Sequence, residues 1–137
     1  MNAKDWKILL VDDEREFITT LAERLDLRGI PSRVAFDGES ALEAIAAEEP
    51  YVVVLDVLMP GIKGLEVLER VKRTNPLVQV LLLTGHGSTR DGIEGMRLGA
   101  YDYMMKPLNI DTLIEKMESA TDYAMKAAAQ SGKNEGQ

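Results

Sequence analysis

The sequence predicts an α/β fold: a doubly wound, five-stranded parallel sheet in three layers, with five helices alternating with the strands. Three observations carry that reading. The runs Ile8-Leu9-Leu10-Val11, Val52-Val53-Val54-Leu55 and Val80-Leu81-Leu82-Leu83 are apolar without alternation. That is the pattern of strands covered on both faces, as in parallel sheets. Apolar residues at helical spacing fill the stretches between them, and this alternation calls for right-handed crossovers between parallel strands.

The first strand, 8–11, leads into a helix in which Phe17, Leu21 and Leu25 recur every four residues. Gly29 and Pro31 stop it. Residues 33–36 are a weaker candidate for the second strand. Asp37 can cap a second helix carrying Ala41, Leu42 and Ile45, with Pro50 beyond its end. The third strand, 52–55, precedes a helix marked by Leu65, Leu68 and Val71 and closed by Asn75-Pro76. Beyond the fourth strand, 80–83, Ser88 with Asp91 three residues on resembles a capping box for a fourth helix that ends at Gly99. Gly92 and Gly95 lie inside it. Each costs up to about 1 kcal/mol against alanine, so this helix is expected to be the weakest. Residues 100–104 are the other weak strand. Asn109 can cap the last helix, whose Ile110, Leu113, Ile114, Met117 and Thr121 are expected to face inward. Trp6 and the Met104-Met105 pair read as packing residues. From about Ala127 the chain turns small and polar. The expected organisation is one domain over 1–126 and a polar disordered tail or linker stub over 127–137.

Composition narrows the function. A length of 137 residues suits one domain. The net charge of -7 argues against a nucleic-acid-binding surface and suits a protein that binds a cation or docks on a basic partner. With no cysteine, disulfide frameworks and thiolate chemistry are excluded. No apolar run approaches the roughly 18 residues of a membrane span. Residues 1–7 contain no apolar signal core, and the expectation is a cytoplasmic chain without membrane contact.

In an open parallel sheet, ligands bind at the carboxyl ends of the strands. Asp12 and Asp13 follow the first strand, Asp56 the third, Thr84 the fourth, and Lys106-Pro107 the fifth. The fold is expected to gather them on one rim. Like charges about 4 Å apart repel by roughly 4 kcal/mol at an effective dielectric of about 20. Three carboxylates there call for protons or a cation, and Mg²⁺ takes such oxygen ligands. Lys106 can donate to a phosphate, and the Thr84 hydroxyl can hydrogen-bond one. Together these are phosphoryl-transfer equipment, with Asp56 the natural nucleophile. Taken singly the residues say less: Asp12-Asp13 could be a turn and helix cap, and Lys106 a solvated loop lysine.

Four motifs, Leu10-Val11-Asp12-Asp13-Glu14, Val54-Leu55-Asp56-Val57-Leu58-Met59-Pro60-Gly61, Leu83-Thr84-Gly85 and Tyr103-Met104-Met105-Lys106-Pro107, fall in fixed order. In them the chain resembles the receiver domain of bacterial response regulators, over residues 7–125. The resemblance implies a CheY-like, flavodoxin-like (βα)5 fold. It implies that Asp12, Asp13, Asp56 and the Leu58 backbone carbonyl hold Mg²⁺. Asp56 would accept a phosphoryl group from a sensor histidine kinase or phosphotransfer protein, with Lys106 pairing with that group. Thr84 would swing toward it, and Tyr103 would turn inward as the aromatic switch. Gly85 fits the need for a small residue beside the site. His86, the sole histidine, would tune phosphoryl lifetime through water access. The fourth helix, fifth strand and fifth helix would form the output face, for an unnamed partner or for a homodimer linked to phosphorylation. Such a domain is no conventional enzyme; it assists its own phosphorylation and dephosphorylation.

Two rivals stand beside this reading. An aspartate-nucleophile phosphatase of the haloacid dehalogenase type needs a second Asp two residues after the nucleophile, where this chain has Leu58. A receiver-like interaction module independent of phosphorylation would typically lack the acidic pair, the acceptor or the lysine, all of which stand here.

Overall fold

The computed structural model describes residues 2–85 and 89–135. Five strands alternate with five helices: β1 (Ile8–Val11), α1 (Arg15–Leu27), β2 (Ser32–Ala35), α2 (Gly38–Ala47), β3 (Val52–Asp56), α3 (Gly64–Thr74), β4 (Gln79–Thr84), α4 (Thr89–Arg97), β5 (Asp102–Met105) and α5 (Ile110–Glu135). The sheet is parallel throughout, in the order β2-β1-β3-β4-β5. The chain turns back on its own order between β1 and β3, which makes their carboxyl ends the topological switch point.

The unbroken apolar runs are explained by the register. Leu9 pairs with Val53 and Val53 with Val80. These three point to one core, which α2 and α3 cover with Ala41, Ile45, Val67, Leu68 and Val71. Leu10, Val54 and Leu81 pair in the same way and point to the opposite core. There α1 and α5 cover them with Ile18, Leu21, Leu25, Leu113 and Met117. Each residue of β1, β3 and β4 is thus buried whichever way it points, and alternation never appears there.

The expected caps are present where described. Asp37 accepts the Ser40 N–H at 2.7 Å, and Asn109 accepts the Thr112 N–H at 3.0 Å. Gly29 ends α1 at φ 76°, in the left-handed region that glycine enters most readily. Ser88, the expected cap of α4, lies outside the described residues.

Three details differ from the sequence reading. In α1 Ile18 is fully buried beside Leu21 and Leu25, while Phe17 is only partly covered. The glycines of α4 are close-packing positions. A Cβ at Gly95 would meet Leu82 Cδ1 at 2.0 Å, and one at Gly92 would meet the Tyr103 ring at 2.7 Å. The third concerns residues from Ala127 onward, expected as a polar disordered tail or linker stub: α5 runs on to Glu135, so the stretch to that residue is helical. Ala127, Ala128 and Ala129 are strong helix formers, and extending a nucleated helix is far easier than starting one. No described helix is long and apolar enough to cross a membrane.

Candidate functional site

Asp12 follows β1 directly and is fully buried. Both its carboxylate oxygens are used: Oδ1 accepts the Glu14 N–H at 2.9 Å, and Oδ2 accepts from Lys106 Nζ at 2.8 Å. Its own N–H donates to the Ala35 carbonyl at 3.2 Å, tying it to the end of β2. Asp13 is exposed beside it. Asp56 closes β3, is only 4% exposed, and accepts the Leu58 N–H on Oδ1 at 3.2 Å. Carboxylate oxygens of Asp12, Asp13 and Asp56 lie within 4.8 Å of one another. The adjacent strands β1 and β3 hold this cluster at the switch point.

Lys106 arrives from the end of β5, where its N–H donates to the Thr84 carbonyl at 3.0 Å. Its ammonium donates to Asp12 and, at 2.9 Å, to Glu14 Oε1, and it stands 3.7 Å from Asp56 Oδ2. The Phe17 ring lies beneath it, 4.6 Å from nitrogen to centroid. Burial alone would lower the Lys106 pKa. Hydrogen bonds to Asp12 and Glu14, with the charges of Asp56 and Asp12, outweigh it and hold the pKa above the usual lysine value.

One lysine does not neutralise the cluster. Burial, and then the charge of Asp12, push the Asp56 carboxyl up to about 7, against the downward pull of Lys106 and the Leu58 N–H. The nucleophile candidate thus tends to keep a proton, because burial and the neighbouring Asp12 charge outweigh the pull of Lys106. Three hard carboxylates crowded together, one open to solvent, fit a small divalent cation such as Mg²⁺.

The remaining predicted residues fall as follows. Thr84 ends β4 and is buried, with its hydroxyl donating to the Met104 carbonyl at 3.3 Å. It is therefore at the rim but turned to β5. Leu58 is beside the cluster with its side chain in solvent. Tyr103 is half-buried against Gly92. His86 lies outside the described residues. Sequence reasoning missed three positions. Glu14 and Phe17 touch Lys106, yet Glu14 read as part of a motif and Phe17 as core. Gly64 opens α3 so close to the acceptor that a Cβ there would stand 2.4 Å from the Asp56 carbonyl oxygen. A glycine in the first turn of a helix, just past the acceptor loop, was the available signal.

The profile of the response regulator receiver domain matches residues 8–118. The chain belongs to that family. This receiver is 41% identical over 113 residues to the transcriptional regulatory protein CpxR of Klebsiella pneumoniae, covering 82% of this chain and 48% of that protein. It is 38% identical over 117 residues to the nitrogen assimilation regulatory protein NtrX of Azorhizobium caulinodans, covering 84% and 26%. The chain thus spans about a quarter to a half of these curated relatives. Among solved structures, the receiver domain of NtrX from Brucella abortus superposes with a TM-score of 0.80 at 38% identity, covering 84% of this chain and 98% of that one. The receiver is therefore a module of two-component signal transduction, a family whose members work with histidine kinases or phosphotransfer proteins.

Proposed function

We propose that Asp56 is the phosphoacceptor of this receiver and that Asp12, Asp13, Asp56 and the Leu58 carbonyl hold Mg²⁺ beside it. One observation carries the reading: a buried strand-end aspartate lies within 4.8 Å of two further carboxylates, with a lysine ammonium 3.7 Å away. When bound, the cation would supply positive charge beside Asp56, favouring its carboxylate form and offsetting charge on the phosphoryl oxygens.

This chain's own residues do the rest. An Asp56 carboxylate oxygen forms a bond to phosphorus as the donor's bond to phosphorus breaks, and the leaving group keeps that electron pair. The donor is a phosphohistidine on a partner kinase or phosphotransfer protein, or a small acyl phosphate. Lys106 balances charge on the transferred group. Thr84, released from the Met104 carbonyl, can donate its hydroxyl to a phosphoryl oxygen. Water later hydrolyses the acyl phosphate, which regenerates the Asp56 carboxylate and frees inorganic phosphate.

The response is read on α4, β5 and α5. Ile93 and Met96 on α4 and Met105 on β5 are exposed apolar side chains, which support an output face there for a partner or a second receiver. Phosphorylation shifts a balance between two conformations through Thr84, Tyr103 and Lys106. A cytoplasmic location goes with this reading.

Intact mass after incubation with acetyl phosphate tests it. One Mg²⁺-dependent phosphoryl adduct is expected, absent in Asp56→Ala. The absence of an adduct under every condition would favour the phosphorylation-independent interaction module.

A further inference from the structure

Among the described residues Lys106 has three carboxylate partners, and they are not equivalent. Asp12 is fully buried and uses both oxygens, one for Lys106 and one for the Glu14 backbone. It cannot leave. Asp56 Oδ2, at 3.7 Å, is beyond hydrogen-bond length from the ammonium. Glu14 is the remaining contact: it accepts at 2.9 Å with a side chain 64% exposed, while the Lys106 side chain is 20% exposed. A solvated carboxylate on a flexible stem exchanges this bond for water at little cost.

We infer that Glu14 is a positioning residue that holds the Lys106 ammonium away from Asp56 until a phosphoryl group displaces it. The inference rests on the reading of Asp56 as phosphoacceptor. A phosphoryl group on Asp56 adds oxygens carrying between one and two negative charges at neutral pH. They stand on the Asp56 side of an ammonium now shared by Asp12 and Glu14. The ammonium keeps Asp12, rolls across the Phe17 ring toward Asp56 and turns the donor it gave Glu14 to the phosphoryl oxygen, as Glu14 goes to solvent. Each phosphorylation must therefore break the Glu14 contact, and each hydrolysis allows it to re-form. Glu14 thereby sets how readily the site accepts the group and how long the group stays.

Glu14→Gln keeps size and helix position but removes the charge that competes for Lys106. With acetyl phosphate and Mg²⁺, followed by intact mass over time, Glu14→Gln is expected to label about two- to fivefold faster than the parent, from the strength of a partly exposed ion pair. It is also expected to lose the group more slowly once the donor is removed. A charge effect on the anionic donor would mimic the first result, so both measurements are repeated in Lys106→Ala. There the added Glu14→Gln change is expected to have no effect, because Glu14 acts through the lysine. Unchanged rates in Glu14→Gln, or an equal effect with and without Lys106, would overturn the inference while leaving the phosphoacceptor intact. Absence of any adduct on the parent would instead fail the phosphoacceptor reading itself.

Discussion

The two halves of the rim are built on opposite plans. At β1 and β3 the two buried carboxylates are held in place. Asp12 is held by Ala35, Glu14 and Lys106, Asp56 by the Leu58 N–H, and Gly64 brings α3 against the Asp56 backbone. At β4 and β5 the structure is made of exchangeable contacts. Thr84 bonds a strand carbonyl at a long 3.3 Å, Tyr103 rests where Gly92 has no side chain, and Ile93, Met96 and Met105 meet solvent. The difference teaches where each task belongs. Phosphoryl chemistry needs fixed groups, because misplacement by an ångström is costly. A switch needs an element with two nearly equal packings.

The comparison can be broken first at its rigid end. In Gly64→Ala a methyl would have to fit 2.4 Å from the Asp56 carbonyl oxygen and 2.6 Å from Val57 Cα, both backbone atoms. The expected loss is about 3 kcal/mol in urea unfolding, near the top of the overpacking range, with slower phosphorylation.

The Asp56 proton gives the next effect. The folded, metal-free protein holds a proton on Asp56 between about pH 4 and pH 7 that the unfolded chain has already released. Raising the pH through that window therefore lowers stability, by up to a few kcal/mol, and the loss levels off above pH 7. Asp56→Asn removes the slope and leaves the metal-free protein more stable than the parent at pH 8. Mg²⁺ is expected to restore the parent's stability there, and chelation to reverse this. Thermal melts across that pH range, with and without metal, read all three effects.

The flexible half should answer differently. Gly92→Ala gains up to about 1 kcal/mol of helix propensity but evicts the Tyr103 ring from its seat. Its stability is expected to stay within about 1 kcal/mol of the parent, while the Tyr103 ring resonances and output-partner affinity shift. If the ring stays put and stability falls as in Gly64→Ala, the two halves are alike after all. The smallest effect lies outside both. Among the described residues the buried Thr121 hydroxyl has no hydrogen-bond partner, so Thr121→Val should add about 1 kcal/mol in the same unfolding assay without changing phosphorylation.

The layers and the strand-end residues were legible because each follows from a local pattern. Runs such as Val52-Val53-Val54-Leu55 announce two-sided burial, and Asp12, Asp13, Asp56, Thr84 and Lys106 occupy equivalent places in successive βα units. What stayed hidden depends on approach between elements distant in sequence. Nothing local says that Lys106 bonds Glu14 across 92 positions, or that Gly92 is the floor under Tyr103. The helicity from Ala127 was missed for another reason: a polar composition was weighed above the propensity of consecutive alanines extending an existing helix.

Amide hydrogen exchange before and after phosphorylation, with Asp56→Ala as control, tests the division most directly. The account predicts strong, unchanged protection in β1 and β3. It predicts weaker protection in α4 than in α3, and a change on phosphorylation confined to α4, β5 and the start of α5, absent in the control. Protection in α4 equal to that in α3, or a phosphorylation-linked change centred on β1 and β3, would contradict it.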